Sequence, residues 1–262
     1  MSGLFAVTTP IYYVNGLPHI GHTYSTLVAD TVARYHRLAG DTVFFQTGMD
    51  EHGEKAEAAA AASAEPVESY AARVSGAWRE TWDELGISYD RFIRTTDSDH
   101  EAAVARILQA VWDAGEIEFR EYEGLYCVGC ERFLTERDMV DGLCRDHETA
   151  PDPRHEANYF FKMSDHFTWL TDHLEANPGF IEPKRYRNEV LAMVREDSGL
   201  EDLCISRPKE RLSWGVELPF DSDYVCYVWF DALINYLTGC GYPDQPGWEE
   251  RWKACTHLIG KD

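Results

Sequence analysis

The first fifty-odd residues constrain this chain most. Leu4-Phe5-Ala6-Val7-Thr8-Thr9 is a short apolar, β-branched run, and after Pro10 and Gly16 apolar residues recur at helical spacing from Thr23 to Leu38, at Leu27, Val28, Val32, Tyr35 and Leu38. Gly40 closes that helix, and Thr42-Val43-Phe44-Phe45-Gln46 reads as a second buried strand. Strand, helix, strand in this order opens a doubly wound parallel sheet, whose ligands gather beyond the carboxyl ends of its strands. Two polar stretches fall at those ends, Pro18-His19-Ile20-Gly21-His22 and Thr47-Gly48-Met49-Asp50-Glu51-His52-Gly53. The first lies where a helix begins, and unsatisfied backbone N–H groups and the helix dipole there favour a phosphate beside His19 and His22. Gly21 would let a flat base approach the backbone. Asp50 would lie in the same crevice, where an acid holds an ammonium group. The plainer alternative is a pair of surface histidines beside a turn and an acid exposed in another.

Further along, Lys55 to Ala64 has helix composition with little to bury. Pro66 opens a helix through Leu85, with Tyr70, Val74, Ala77, Trp78 and Leu85 along one face and Gly86 as its stop. Arg91-Phe92-Ile93-Arg94 is a third strand, followed by a helix capped by Asp97 or Ser98 that carries Val104, Ile107, Leu108 and Val111. From Ile117 the pattern changes to short strands leading into Cys127 and Cys130, with Cys144 and His147 beyond. The spacing is C-x2-C-x13-C-x2-H. Two pairs, each two residues apart, let each turn present two ligands to one ion, and four soft or borderline ligands suit tetrahedral zinc. With all four positions supplied by protein, no site is left for a reactive water, so the reading is a structural knuckle, with His155 as the alternative fourth ligand. After an aromatic strand at 158–162 and helices around 166–176 and 187–195, the chain returns to its main fold at Tyr224. On a helix starting near Trp229, the side chains of Trp229, Ala232, Leu233 and Tyr236 share a face, which by spacing alone is core as readily as pocket. Cys204, Cys226, Cys240 and Cys255 lack metal spacing and read as small buried hydrophobes. His257-Leu258-Ile259-Gly260-Lys261-Asp262 reads as a buried strand ending in Gly and Asp.

Bulk properties narrow the classes. A chain of 262 residues with 44% hydrophobic residues can bury a sizeable core, and it suits one large domain or two modest ones. No run approaches the roughly 20 apolar residues that span a bilayer, so no membrane association and a cytoplasmic location are expected. The net charge of −22, from 46 acidic against 24 basic residues, excludes nucleic-acid binding by diffuse attraction to phosphates, though not through a local patch. Seven cysteines without a secretory signal point to thiols or metal ligands.

Thr9-Pro10-Ile11-Tyr12-Tyr13-Val14-Asn15-Gly16-Leu17-Pro18-His19-Ile20-Gly21-His22 resembles the nucleotide-binding signature of class I aminoacyl-tRNA synthetases, in the form carried by methionyl-tRNA synthetases. The likeness runs from Leu4 to Asp262. It implies an α/β fold, a class I Rossmann-type doubly wound parallel sheet interrupted by a zinc-binding connective insert. The boundaries implied are 1–116 for the first half, 117–223 for the insert with its knuckle at 127–147, and 224–262 for the start of the second half. It also implies ATP-dependent activation of methionine to methionyl-adenylate and transfer to tRNA(Met), with ATP taken as substrate with Mg2+ and one structural Zn2+. Pro10, His19, Gly21, His22, Gly260 and Asp262 would hold ATP, with His19 and His22 stabilising the transition state. Ile11, Tyr13, Asp50, Trp229, Ala232 and Tyr236 would hold methionine, which turns the Trp229 stripe from core into pocket. Met49 stands where a smaller residue is expected. The 262 residues hold no Lys-Met-Ser-Lys-Ser segment and no helical anticodon-binding region, so residues 1–262 alone are expected to activate methionine very poorly. The rival reading is a truncated, weakly catalytic paralogue acting as a zinc-containing adenylate-binding or interaction module. Oligomeric state is left open.

Overall fold

In the computed structural model, the residues described are 3–130, 132–195 and 202–260. The chain divides into two compact units, one running to Gln109 and resuming at Pro208, the other Ala110–Arg207.

The first unit is built on β1 (Leu4–Tyr13), α1 (Ile20–Ala39), β2 (Thr42–Asp50), α2 (Glu54–Ala62), α3 (Val67–Glu84), β3 (Arg91–Arg94) and α4 (Ser98–Asp113). After the second unit it adds the later elements described below, of which one strand, Cys255–His257, completes a four-stranded parallel sheet beside β1; the spatial order is that strand, β1, β2, β3. Both β1 and β2 run further than their apolar runs suggest. β1 continues through Pro10, whose missing N–H is accommodated by a register shift between Thr8 and Ile11, and it then pairs Tyr13 with Asp50. Asp50 is therefore the last residue of a strand, buried at the carboxyl end of the sheet.

The core of this unit gathers Val7, Phe45, Met49, Val74, Trp78 and Trp82. Met49, marked by its size, is fully buried there. The inner face of α1 differs from the expected one. Thr26, Ala29, Asp30 and Ala33 are buried, whereas Leu27, Tyr35 and Leu38 are exposed. Small residues let the helix lie close on the sheet, and Asp30 is tolerated inside because it accepts from Ser88 N at 2.7 Å, Ser88 Oγ at 2.5 Å and Arg34 Nε at 2.6 Å.

The second unit contains β4 (Ile117–Cys127), β5 (Arg132–Leu134), β6 (Met139–Val140), β7 (Leu143–Cys144), β8 (Asp152–Phe161), α5 (Phe167–Ala176), α6 (Lys184–Arg195) and β9 (Leu203–Cys204). Its antiparallel sheet has the order β5-β4-β8-β9, with β4 and β8 paired over ten residues from Ile117↔Phe161 to Tyr126↔Asp152. The predicted pair of short strands at 117–126 is thus one long strand. β10 (Ser206–Pro208), β11 (Glu217–Leu218), β12 (Asp221–Cys226), α7 (Val228–Cys240), α8 (Trp248–Lys253) and β13 (Cys255–His257) complete the chain. The strand expected at 257–262 is correspondingly earlier and only partly buried, and Leu258 to Gly260 continue as irregular backbone. Asp262 lies outside the described residues. No helix among the described residues is long and apolar enough to cross a membrane.

Candidate functional site

At the carboxyl end of the parallel sheet, the turn after β1 delivers His19 to the N-cap of α1. The two histidines cap the helix reciprocally: His19 Nδ1 accepts from Gly21 N at 3.1 Å, and His22 Nδ1 accepts from His19 N at 3.3 Å. Their rings stack with centroids 3.6 Å apart. Gly21 has a steric reason of its own, because a Cβ there would come within 2.9 Å of the His19 ring. Burial, reinforced by the neighbouring His19, lowers the His22 pKa and favours its neutral form. Tyr12 supports the pair from below, its ring 5.0 Å from His22 and 4.9 Å from Trp78, with its hydroxyl 2.9 Å from Thr26 Oγ1.

Several predicted nucleotide and substrate residues come together in this unit. Gly260 passes beside Pro10, with a Cβ built on the glycine 3.9 Å from the proline Cγ. Ile11 and Tyr13 lie on β1, opposite Gly48 and Asp50 of β2. Gly48 admits no side chain at all, since a Cβ would stand 2.1 Å from the Ile93 carbonyl oxygen.

Helix α7 buries polar side chains among apolar ones, Val228, Ala232, Ile234 and Cys240. Its buried side carries Asp231, Asn235 and Thr238, while Trp229 and Leu233 are 37% and 57% exposed and Ala232 is buried. Tyr236 rests against His257 at 4.6 Å between ring centroids, and His257 Nδ1 lies 2.9 Å from Thr8 Oγ1 on β1. The exposed Trp229 and Leu233 give the helix a partly apolar outer side.

Sequence reasoning passed over the network behind Asp50. Glu51 is fully buried and accepts from Arg94 Nε at 2.6 Å, Arg94 Nη2 at 2.9 Å, Thr96 Oγ1 at 2.6 Å and the Ser75 hydroxyl. His52 Nδ1 lies 2.6 Å from Asp231 Oδ2, and His100 Nε2 lies 2.8 Å from Asp231 Oδ1. Burial alone would raise the Asp231 pKa, but the charges and hydrogen bonds of the two histidines prevail and hold it at about 2. The available signals were an Asp-Glu-His run closing a strand and a lone acid inside the apolar segment Trp229-Phe230-Asp231-Ala232.

In the second unit Cys127, Cys130, Cys144 and His147 bring their ligand atoms within 4.8 Å of one another. The Sγ atoms of Cys130 and Cys144 are 3.4 Å apart, and His147 Nδ1 is 3.3, 3.8 and 3.9 Å from the sulfurs of Cys130, Cys144 and Cys127. A tetrahedron with metal–sulfur bonds of 2.3 Å has edges of about 3.8 Å, so the donor set fits one such ion. Gly129 makes the cradle, as a Cβ there would lie 2.4 Å from the His147 ring. The Asp141-Gly142 turn, both residues at positive φ, folds β6 onto β7 and delivers Cys144. Burial and the neighbouring thiols push Cys130 up to about 12, whereas hydrogen bonds from His147 and Asp146 overcome burial at Cys144 and pull it down to about 6. A cation bound among the three sulfurs would stabilise all of them as thiolates. His155, the alternative ligand, is instead on β8 with Nε2 4.0 Å from Glu121 Oε2.

The sequence matches the family described as tRNA synthetases class I (M) over residues 5–152 and 137–262. The chain belongs to this family. Its curated relatives in this synthetase family include the methionine–tRNA ligase of Deinococcus radiodurans, 50% identical over 98% of this chain and 38% of the relative. That of Streptomyces coelicolor is 43% identical over 98% of this chain and 49% of the relative. Methionyl-tRNA synthetase of Mycobacterium tuberculosis in complex with methionyl-adenylate superimposes with a TM-score of 0.93 at 43% identity, over 99% of this chain and 52% of that one. The chain thus spans roughly two-fifths to one-half the length of these relatives.

Proposed function

We propose that this chain is the methionine-activating region of a methionine–tRNA ligase. The observation that carries the reading is the juxtaposition of β1 and β2 ends, where Tyr13 stands opposite a buried Asp50, combined with the solvent-facing aromatic side of α7. Asp50 accepts the substrate ammonium; Ile11, Tyr13, Trp229, Ala232 and Tyr236 enclose the thioether, a soft group that packs well against aromatic rings. ATP lies over the N-terminus of α1, with its phosphates met by His19 and His22 and its nucleoside against Pro10, Gly21 and Gly260. In this reading Asp262, two residues after Gly260, belongs to the same ribose contact.

The methionine carboxylate oxygen attacks the α-phosphorus, forming the acyl–phosphate bond as the α–β bridging oxygen leaves with pyrophosphate. This chain contributes position and charge, with no covalent intermediate on the protein. Mg2+ brought in with ATP would neutralise part of the phosphate charge. A hydroxyl of the terminal ribose of tRNA(Met) then takes the acyl group, releasing AMP. Zinc in the Cys127–His147 knuckle is structural, because four protein donors complete its coordination.

Methionine-dependent exchange of pyrophosphate into ATP by the full-length polypeptide tests the reading. Exchange that requires methionine and is absent with leucine or valine supports it, and nucleotide binding without exchange would favour an adenylate-binding module instead.

A further inference from the structure

The acid assigned to the substrate ammonium and the helix assigned to its side chain belong to distant parts of the sequence, yet one buried polar bridge joins their backbones. His52 follows Asp50 by two residues, and Asp231 sits between Trp229 and Ala232 on α7. The Asp231 carboxylate faces both histidines, one oxygen to His52 Nδ1 at 2.6 Å and the other to His100 Nε2 at 2.8 Å. Asp231 and His100 are fully buried and His52 nearly so. His100 is itself fixed to α7 about two turns further on, with Nδ1 3.3 Å from Thr238 Oγ1.

On the Asp50 side the segment has little freedom. Glu51 N donates to Thr95 Oγ1 at 2.9 Å, and Glu51 O accepts from Trp214 Nε1 at 2.5 Å. The indole of Trp214 also packs edge-on against the His52 ring at 5.4 Å. An Asp–His interaction of this kind, closed off from water, is strong only if its geometry is kept, and removing one partner leaves a buried charge without its counterpart.

Resting on the methionine-activating reading, we infer that His52, Asp231 and His100 form a positioning bridge that holds Asp50 in register with the α7 pocket wall. Its function is to make recognition of the ammonium and of the thioether depend on each other. None of the three touches the reacting atoms. What they set is the separation between two recognition points, so the bridge acts on amino acids and leaves ATP unaffected.

The test compares L-methionine with 4-(methylthio)butanoate, which keeps the thioether and carboxylate and lacks the ammonium. Binding of each, and of ATP, is measured by calorimetry on the full-length polypeptide. The wild type prefers methionine. In Asp231→Asn and His52→Leu, methionine binding weakens by about ten-fold or more, the value of roughly one charge-assisted hydrogen bond, while the des-amino compound and ATP stay within about two-fold. His52→Asn restores the preference, since its amide nitrogen stands near the Nδ1 position; His52→Gln, whose amide reaches toward Nε2, does not. This Asn and Gln pair carries the test if the other variants fail to fold. Parallel weakening of methionine and the des-amino compound would make the bridge merely structural and overturn the inference, as would unchanged methionine binding. A wild type that binds no methionine would instead defeat the function on which the inference rests.

Discussion

Asp50 and Asp231 are both buried acids in one unit, and their surroundings differ. Asp231 is matched by two imidazoles, whereas Asp50 ends β2 at the edge where ligands of such sheets collect. Asp50→Asn keeps the shape and removes the charge. It should weaken methionine binding by about 1.5–3 kcal/mol, the range for a hydrogen bond to a charged group, and leave ATP binding within about two-fold. Equal loss of both ligands in a titration would make Asp50 structural. For Asp231 the sign of the pH effect follows from a folded pKa of about 2 against an ordinary 3.8. A depressed carboxylate contributes stability that is complete above the unfolded value and is lost as pH falls through the folded one. Urea midpoints of the wild type should therefore fall between about pH 4 and pH 2 more steeply than those of Asp231→Asn, and parallel curves would refute the assignment. These two acids also mark what a sequence yields at this scale. The place of Asp50 at the carboxyl end of the sheet was legible because it follows the apolar run Thr42-Val43-Phe44-Phe45-Gln46 in a fold whose ligand edge is known in advance. Asp231 was not, since its partners lie 131 and 179 residues away and no periodicity announces them.

Among the elements, those with strong periodicity or clear stops were legible: α3, α4 and β3 fall within a few residues of the positions read from the sequence. β1 was read short because Pro10 looks like a terminator, and only pairing with β2 reveals that a register shift carries the strand past it. The inner face of α1 was misread for a related reason. Its large apolar residues point outward, and the sheet is met through alanines and a hydrogen-bonded Asp30, a choice that tertiary packing makes and composition hides. Packing of this closeness has a mutational signature. At Gly48 a methyl group would meet the backbone oxygen of Ile93 at 2.1 Å, and a strand carbonyl held in a parallel ladder cannot move aside. Gly48→Ala should cost about 3 kcal/mol or more, at the upper end of overpacking effects, as measured by denaturant midpoint. Gly16→Ala, with nothing within 4 Å of the added Cβ, is the control and should be nearly neutral.

At the level of the molecule, the two compact units have separate means of stability. The unit with the parallel sheet has an extended apolar core around Phe45, Met49, Trp78 and Trp82. Among the described residues the knuckle cluster is small: Cys127, Leu134 and Cys144, with Cys130 and Met139 packed against them. A cluster that small cannot order its loops by burial alone, since fixing each residue's backbone costs about 1–2 kcal/mol. Metal coordination by the four residues would do most of that work, and the cluster's spacing is what made it readable from the sequence. Cys130→Ser should abolish binding of one zinc equivalent per chain, measured by metal analysis after gentle purification. In the same variant, local protection of backbone amides around residues 127–147 should fall in hydrogen exchange. Protection over β1, β2 and α3 should persist, and methionine affinity should stay within about two-fold, because none of the groups assigned to the amino acid lies in the second unit. A variant that retains its zinc would show that the four residues are not the ligands. One that loses protection in both units together would show that the knuckle supports the core of the parallel-sheet unit as well, and that the two stabilities are coupled.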